Sequence, residues 1–228
     1  MGKDSTTTKK KAAAAANDFK SDAATQTILD HFAAISAIPR KSGNEAQIRA
    51  FLVKWAEEHK FAAEVDHVGN LIIRIPASKG MEKRQGIVLQ GHLDMVCEKT
   101  PDSNHDFFHD PIRLIHDGEW LKADHTTLGA DNGIAIAIAQ CLVTDSSVKH
   151  PAIELLFTVE EATGLTGATG LKPGTLKGKY LINLDSENDN IFTVGSAGGK
   201  DTHIELDLDY EEVPNDYVAM HVMVGGCT

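Results

Sequence analysis

Basic residues are scarce in this chain: 22 Lys and Arg stand against 33 Asp and Glu, for a formal charge of -11. That balance excludes sequence-independent binding to nucleic acid, which depends on Lys and Arg neutralising phosphates. Cysteine is scarcer still. Cys97, Cys141 and Cys227 are odd in number and show no C-x-x-C spacing, so neither a disulfide framework nor a thiolate zinc site is indicated. A reducing cytoplasm fits that usage best. No run approaches the roughly 18 apolar residues of a membrane span, and the N-terminus lacks the apolar core of a secretory signal. The expectation is a soluble, cytoplasmic chain.

Apolar residues make up 42% of the 228 positions, enough for one large α/β domain or for one domain and part of another. Residues 1–22 differ from the rest, running through Thr6-Thr7-Thr8 and Lys9-Lys10-Lys11 into five alanines from Ala12 to Ala16. They read as a disordered Lys/Ala-rich extension. Met1-Gly2 with Thr6 has the spacing of a myristoylation pattern, but so short a pattern arises often by chance and one acyl chain binds only marginally. No stable membrane association is expected.

From Asp22 onward, Ile28, Leu29, Phe32, Ile35 and Ile38 recur at helical spacing, and Pro39 closes the segment. A second helix follows, with Asn44 as its expected N-cap and Ile48, Phe51, Leu52 and Trp55 as its buried stripe. Val65–Val68 and Leu71–Ile75 flank Gly69-Asn70 and predict a hairpin. Ile87–Gln90, Ile153–Val159 and Tyr180–Leu184 read as buried strands, Asn132–Leu142 as a small-residue helix, and Gly164 and Gly167 as loosening a turn or short helix. Past Gly198-Gly199, the alternating runs Thr202–Leu208 and Tyr217–Val224 predict strands of a different, antiparallel unit. The expected division is 1–22 extension, 23–198 catalytic domain and 199–228 the start of a second domain.

Four acidic or imidazole clusters sit at the ends of these apolar runs: Gly91-His92-Leu93-Asp94, Gly129-Ala130-Asp131-Asn132-Gly133, Glu160-Glu161 and Leu184-Asp185-Ser186. In open α/β sheets ligands bind beyond the carboxyl ends of the strands, so these separate segments can converge on one site. A mixed set of imidazole and carboxylates suits two Zn²⁺ or Mn²⁺ ions, borderline cations that take N and O ligands. His92 and Asp94 lie two apart, which assigns the imidazole to metal and the carboxylate to orienting it. Asp131, between glycines at a helix start, can bridge two cations. Adjacent Glu160 and Glu161 point different ways from a strand, so one can ligate while the other acts as general base. Asp185 supplies a further oxygen.

Each motif alone has a bland reading: a His-x-Asp by chance, a solvated Glu-Glu edge, an Asp-Asn-Gly turn. Their joint placement after apolar strands favours the metal site. His105, His109 and His116 fall in an Asp-rich surface loop interrupted by Phe107-Phe108 and Pro111, and Cys97, lacking a paired base, reads as a small buried residue. Gly195–Gly199 lacks the G-x-x-x-x-G-K-[ST] pattern and the following helix of a phosphate loop and reads as a hinge.

LQGHLDMV, TTLGADNGIAIA, FTVEEATGLTGA, LINLDSE and VGSAGG together resemble the aminoacyl-histidine dipeptidases (Xaa-His or cytosol nonspecific dipeptidases, peptidase D-like) of the M20 metallopeptidases, over roughly residues 25 to 224. The resemblance implies a zinc-peptidase-like α/β fold, a mixed sheet flanked by helices and interrupted by an inserted α+β lid domain that mediates homodimerisation. It implies that His92, Asp131 and Asp185 hold one zinc and that Asp131 and Glu161 hold the other, with Mn²⁺ or Co²⁺ as substitutes. Asp94 orients His92, Glu160 is the general base, and the Asp131–Asn132 peptide is cis. The implied substrates are unblocked dipeptides, Xaa-His among them. The family continues through the lid to a final His ligand, and Gly225-Gly226-Cys227-Thr228 stands where its members usually read Gly-Gly-His-Ser-Gly. The chain is therefore expected to be an N-terminal portion with an incomplete site and no secure dimer. Another M20-type amidohydrolase, such as an N-acyl amino acid deacylase, and an inactive fragment serving as a binding module remain the alternatives.

Overall fold

The computed structural model describes residues 22–186, 190–195, 202–213, 216–218, 220 and 222. The chain divides into two compact units, Met1–Glu187 and Asn188–Thr228.

The first unit opens with helices α1 (Ala23–Ser36) and α2 (Ala46–Glu58) and the hairpin β1 (Ala62–Val65) and β2 (Leu71–Ile75). Strand β3 (Ile87–His92), the ribbon β4 (Leu114–Asp117) and β5 (Trp120–Ala123), and helix α3 (Ala130–Thr144) follow, then β6 (Ile153–Thr158), the short α4 (Thr166–Thr169) and β7 (Tyr180–Asn183). The main sheet runs β1-β2-β6-β3-β7. Pairing is antiparallel from β1 to β2 and from β2 to β6, and parallel from β6 to β3 and from β3 to β7. This is the expected α/β class, a mixed sheet flanked by helices.

Strand alternation sends two sets of side chains to opposite faces. Leu71, Ile73, Leu89, Leu155 and Phe157 pack with Phe32 and Ile35 of α1, Leu52 and Trp55 of α2, and Ile136 of α3. On the other face Ile72, Val88 and Leu156 meet Leu171 and Leu176. Burial on both faces explains why these strands are near-continuous apolar runs. Among the described residues no helix is long and apolar enough to cross a membrane.

Four local expectations are corrected. Asn44 does not cap α2: Glu45 holds the N-cap position and its side chain makes no capping bond. The first hairpin strand ends at Val65 rather than Val68, because Asp66 Oδ1 accepts from the N–H groups of Val68, Gly69 and Asn70 and curls the chain into a turn. The β4–β5 ribbon was missed within the loop reading; its two-residue turn starts at Gly118, whose φ of 61° only glycine adopts freely. Thr202–Leu208 carries no strand, nor do the described residues of 217–224. Alternation gives a segment two faces but no partner, and a ladder exists only where a second backbone lies opposite.

Asp22, placed at the edge of the N-terminal extension, is the N-cap of α1, its carboxylate accepting from Thr25 N–H at 2.8 Å. The extension over 1–21, the glycine hinge over 196–199 and the ending 225–228 lie outside the described residues.

Candidate metal centre

The carboxyl ends of β6, β3 and β7 fall on one edge because the three strands are parallel, with His92 beside Thr158 and Gln90 beside Asn183. Whatever residues follow these strands must meet there. His92 ends β3, Glu160 and Glu161 follow β6 after Val159, and Asp185 lies two residues past β7. Asp131 arrives from the helix side, at the start of α3.

The imidazole of His92 is buried, and its two nitrogens face different environments. Nδ1 lies 3.0 Å from the Asp94 carbonyl oxygen and 3.4 Å from its Oδ1. Nε2 faces three carboxylates: Asp131 Oδ1 at 2.8 Å, Glu161 Oε2 at 3.7 Å and Asp185 Oδ2 at 3.8 Å. Burial alone would lower the His92 pKa, but hydrogen bonds to Asp94 and Asp131 and the charges of Asp94 and Asp185 outweigh it and push it up to about 9.

Asp94 sits just beyond β3 and is fully buried. Burial raises its pKa, but His92, Ser42 and the N–H groups of Glu161 and Ala162 outweigh that and hold it well below the usual carboxylate range. Ser42 Oγ donates to its Oδ2 at 2.7 Å, Glu161 N–H to Oδ1 at 3.1 Å and Ala162 N–H to Oδ2 at 3.2 Å. A carboxylate so held stays charged and fixed, as an imidazole-orienting partner must. Burial, followed by the charges of Asp185, Asp94 and Asp131, raises the Glu161 pKa against the opposing effect of His92.

Asp131 and Asn132 have non-helical dihedrals inside α3, and the peptide between them is cis, as the resemblance implied. Asn132 ties the strand ends together: its Oδ1 accepts from His92 N–H at 3.2 Å, and its Nδ2 donates to Leu184 O at 3.2 Å and to Asp185 Oδ1 at 3.1 Å. Arg40, 2% exposed, donates to the carbonyls of Leu93 at 3.1 Å and Asp94 at 3.0 Å and to that of Gly129. One guanidinium thus joins the loop after His92 to the loop before Asp131. Burial lowers its pKa to about 10 against the attraction of Asp94, which leaves it charged at neutral pH.

The donor chemistry fits a divalent cation. One ligand atom each from His92, Asp131 and Asp185 lies within 4.8 Å of the others, the one such group among the described residues. Three carboxylates around one imidazole nitrogen leave an excess of negative charge that a cation offsets, and mixed N and O donors suit a borderline ion such as Zn²⁺. The structure therefore brings together His92, Asp131, Glu161 and Asp185, with Asp94 directly beneath and Glu160 adjacent. His109 is apart from this group, paired with Asp106 at 2.8 Å in the exposed loop, and Cys97 is half-buried with its thiol pKa raised by burial. Arg40, Ser42, Glu45 and Asn132 were missed. Their sequence signal is weak: a polar run from Arg40 to Glu45 between two amphipathic helices, and an amide next to the acid that draws the eye.

No family model matches the chain. The chain is 45% identical over 206 residues to the cytosol non-specific dipeptidase of Escherichia coli (strain K12), covering 90% of this chain and 42% of that protein. Its fold matches the crystal structure of aminoacylhistidine dipeptidase from Vibrio alginolyticus with a TM-score of 0.70 and 45% identity, over 72% of this chain and 33% of that one. Aminopeptidase PepT from Bacillus cereus, at 24% identity and a TM-score of 0.61 over 72% of this chain and 44% of that one, shares the fold. The chain thus spans less than half the length of these relatives. In sequence and fold the chain is similar to part of the aminoacyl-histidine, or cytosol non-specific, dipeptidases.

Proposed function

We propose that the protein is a metal-dependent dipeptidase that hydrolyses unblocked dipeptides, Xaa-His dipeptides among them, in the cytoplasm. The observation that carries this reading is the convergence of the Asp131, Glu161 and Asp185 carboxylates on Nε2 of the buried His92, at 2.8, 3.7 and 3.8 Å. In this reading residues 23–198 belong to the N-terminal part of the catalytic domain and 199–228 begin a lid domain that would mediate dimerisation in a full-length counterpart.

His92, Asp131 and Asp185 would hold one Zn²⁺ and Asp131 and Glu161 a second, with Mn²⁺ or Co²⁺ as substitutes. When bound, such a pair supplies Lewis-acid polarisation of the scissile carbonyl and lowers the pKa of water. The rest is the work of side chains. The Asp94 carbonyl accepts a hydrogen bond from His92 Nδ1–H, which makes Nε2, facing the carboxylates, the nitrogen that would bind metal. Glu160 removes a proton from the attacking water and returns it to the leaving amine.

The test is metal stoichiometry together with hydrolysis of free dipeptides and of N-acyl amino acids, in the wild type and in Glu160→Ala. In a full-length counterpart that carries the final His, two ions per chain and a preference for dipeptides are expected, with Glu160→Ala keeping its metal and losing turnover by about 10²–10⁴-fold, the usual contribution of a general base. Near-normal turnover in that variant would overturn the base assignment. A preference for N-acyl substrates would make the protein a deacylase instead.

A further inference from the structure

We infer that Glu45 is the positioning residue that aims Glu160, an inference that rests on the reading of Glu160 as the general base. Glu45 stands at the N-cap of α2, where a carboxylate ordinarily accepts from the first free N–H groups of its own helix. It makes no such bond. Its side chain turns away instead, and Oε1 accepts from Gly43 N–H at 2.8 Å and from Glu160 N–H at 3.1 Å, a contact 115 positions away in sequence. Glu45 is 6% exposed. A carboxylate taken out of water at that depth is costly unless its hydrogen bonds are made, so these two contacts are the reason it can stay there.

Glu160 needs such a partner. Its φ of 50° lies in the left-handed region that L-residues with side chains rarely occupy, and such a conformation persists only where the surroundings hold it. Two adjacent N–H groups are each taken by a different buried carboxylate: Glu160 by Glu45, Glu161 by Asp94. That division sends the two neighbouring glutamates to different places, Glu161 to the His92 cluster and Glu160 out of it. The Glu160 carboxylate lies against Gly43, its Oε1 4.0 Å from the point a Cβ there would occupy. Glu45 therefore fixes both the backbone from which Glu160 extends and the wall on which its carboxylate rests.

The test compares Glu45→Ala and Glu45→Gln by dipeptide kinetics, by metal stoichiometry and by amide hydrogen exchange at Glu160, with Ile73 of the core as control. In Glu45→Ala, faster exchange at Glu160 and Gly43 with Ile73 unchanged is expected, with kcat falling by about 10–100-fold, the range for loss of an outer partner, while KM and bound metal stay unchanged. Glu45→Gln retains an acceptor oxygen, so both exchange and kcat should return close to wild type. Unchanged exchange at Glu160 in Glu45→Ala overturns the inference, as does a Gln variant as impaired as the Ala variant. Absence of dipeptide turnover in a full-length wild-type counterpart would defeat the functional reading and leave the exchange comparison to decide the placement of Glu160 by itself.

Discussion

Strands β2 and β3 both pair with β6 and are comparably buried, yet they bring opposite things to the same edge of the sheet. Because β2 is antiparallel, its first residue, Leu71, lies beside Phe157, and the edge receives the Asp66–Asn70 turn. Because β3 is parallel, the edge receives its last residue, His92, beside Thr158. On the β2 side the Asp66 carboxylate and the Asn70 amide are paired within the chain. Asp66 Oδ1 takes three backbone N–H groups and Oδ2 takes the Asn70 amide at 2.8 Å, while Asn70 donates to Gly167 O and accepts from Val159 N–H. On the β3 side three carboxylates crowd one imidazole nitrogen. Polar groups that satisfy one another hold structure, whereas an unbalanced surplus of one charge marks where something else must bind.

The contrast is broken most sharply at Asp131, whose side chain is 79% exposed. Asp131→Ala should lower metal affinity by more than about 100-fold, beyond the range for outer partners, while the metal-free chain stays within about 0.5 kcal/mol of wild type. Titration calorimetry and urea unfolding in chelator read the two quantities separately. A large loss of metal-free stability would mean that the carboxylate belongs to the scaffold after all.

Arg40 should move both quantities, because it anchors the two ligand-bearing loops from below. Arg40→Met leaves the carbonyls of Leu93, Asp94 and Gly129 without their donor, at a cost of about 2–3 kcal/mol. Metal affinity should fall with it, by roughly 10–100-fold. Unfolding midpoint and metal titration on the same sample check the coupling; stability lost with affinity intact would show that the loops hold their places independently.

The β3 side was the more legible of the two. Apolar runs ending in His92, Glu160 and Asp185 declare both the strand and the chemistry, because a strand's period and a ligand's donor type are local properties. What holds those residues is not local. Arg40 reaches carbonyls 53, 54 and 89 positions away, and Asn132 reaches back 40 positions to His92. No window of sequence contains such a pairing. Glu45 shows the same limit in reverse: Asn44 is the better N-cap by type, and a contact with Glu160 decides the geometry there. Thr202–Leu208 has a strand's alternation, and Ile204 at 83% and Leu206 at 77% exposure show a period without the opposing backbone that makes a ladder. The Leu114–Ala123 ribbon escaped because its strands are four residues each and its sequence shares the polarity of the loop around it.

The β2 side supplies the smallest and most discriminating effect. Asp66→Ala removes the acceptor of three turn N–H groups and of the Asn70 amide, but the N–H groups at a surface turn can rehydrate, so the loss should stay near 1–2 kcal/mol. Its route to the site is indirect: Asn70 would lose one partner and keep its bonds to Gly167 and Val159, the residue before Glu160. Urea midpoint should therefore fall while metal affinity holds within about 2-fold, well short of the roughly 10–100-fold expected of an outer partner. If affinity fell in proportion to stability, the turn and the metal centre would be one cooperative unit, and the division between a self-satisfied side and a charge-surplus side of the same sheet edge would not stand.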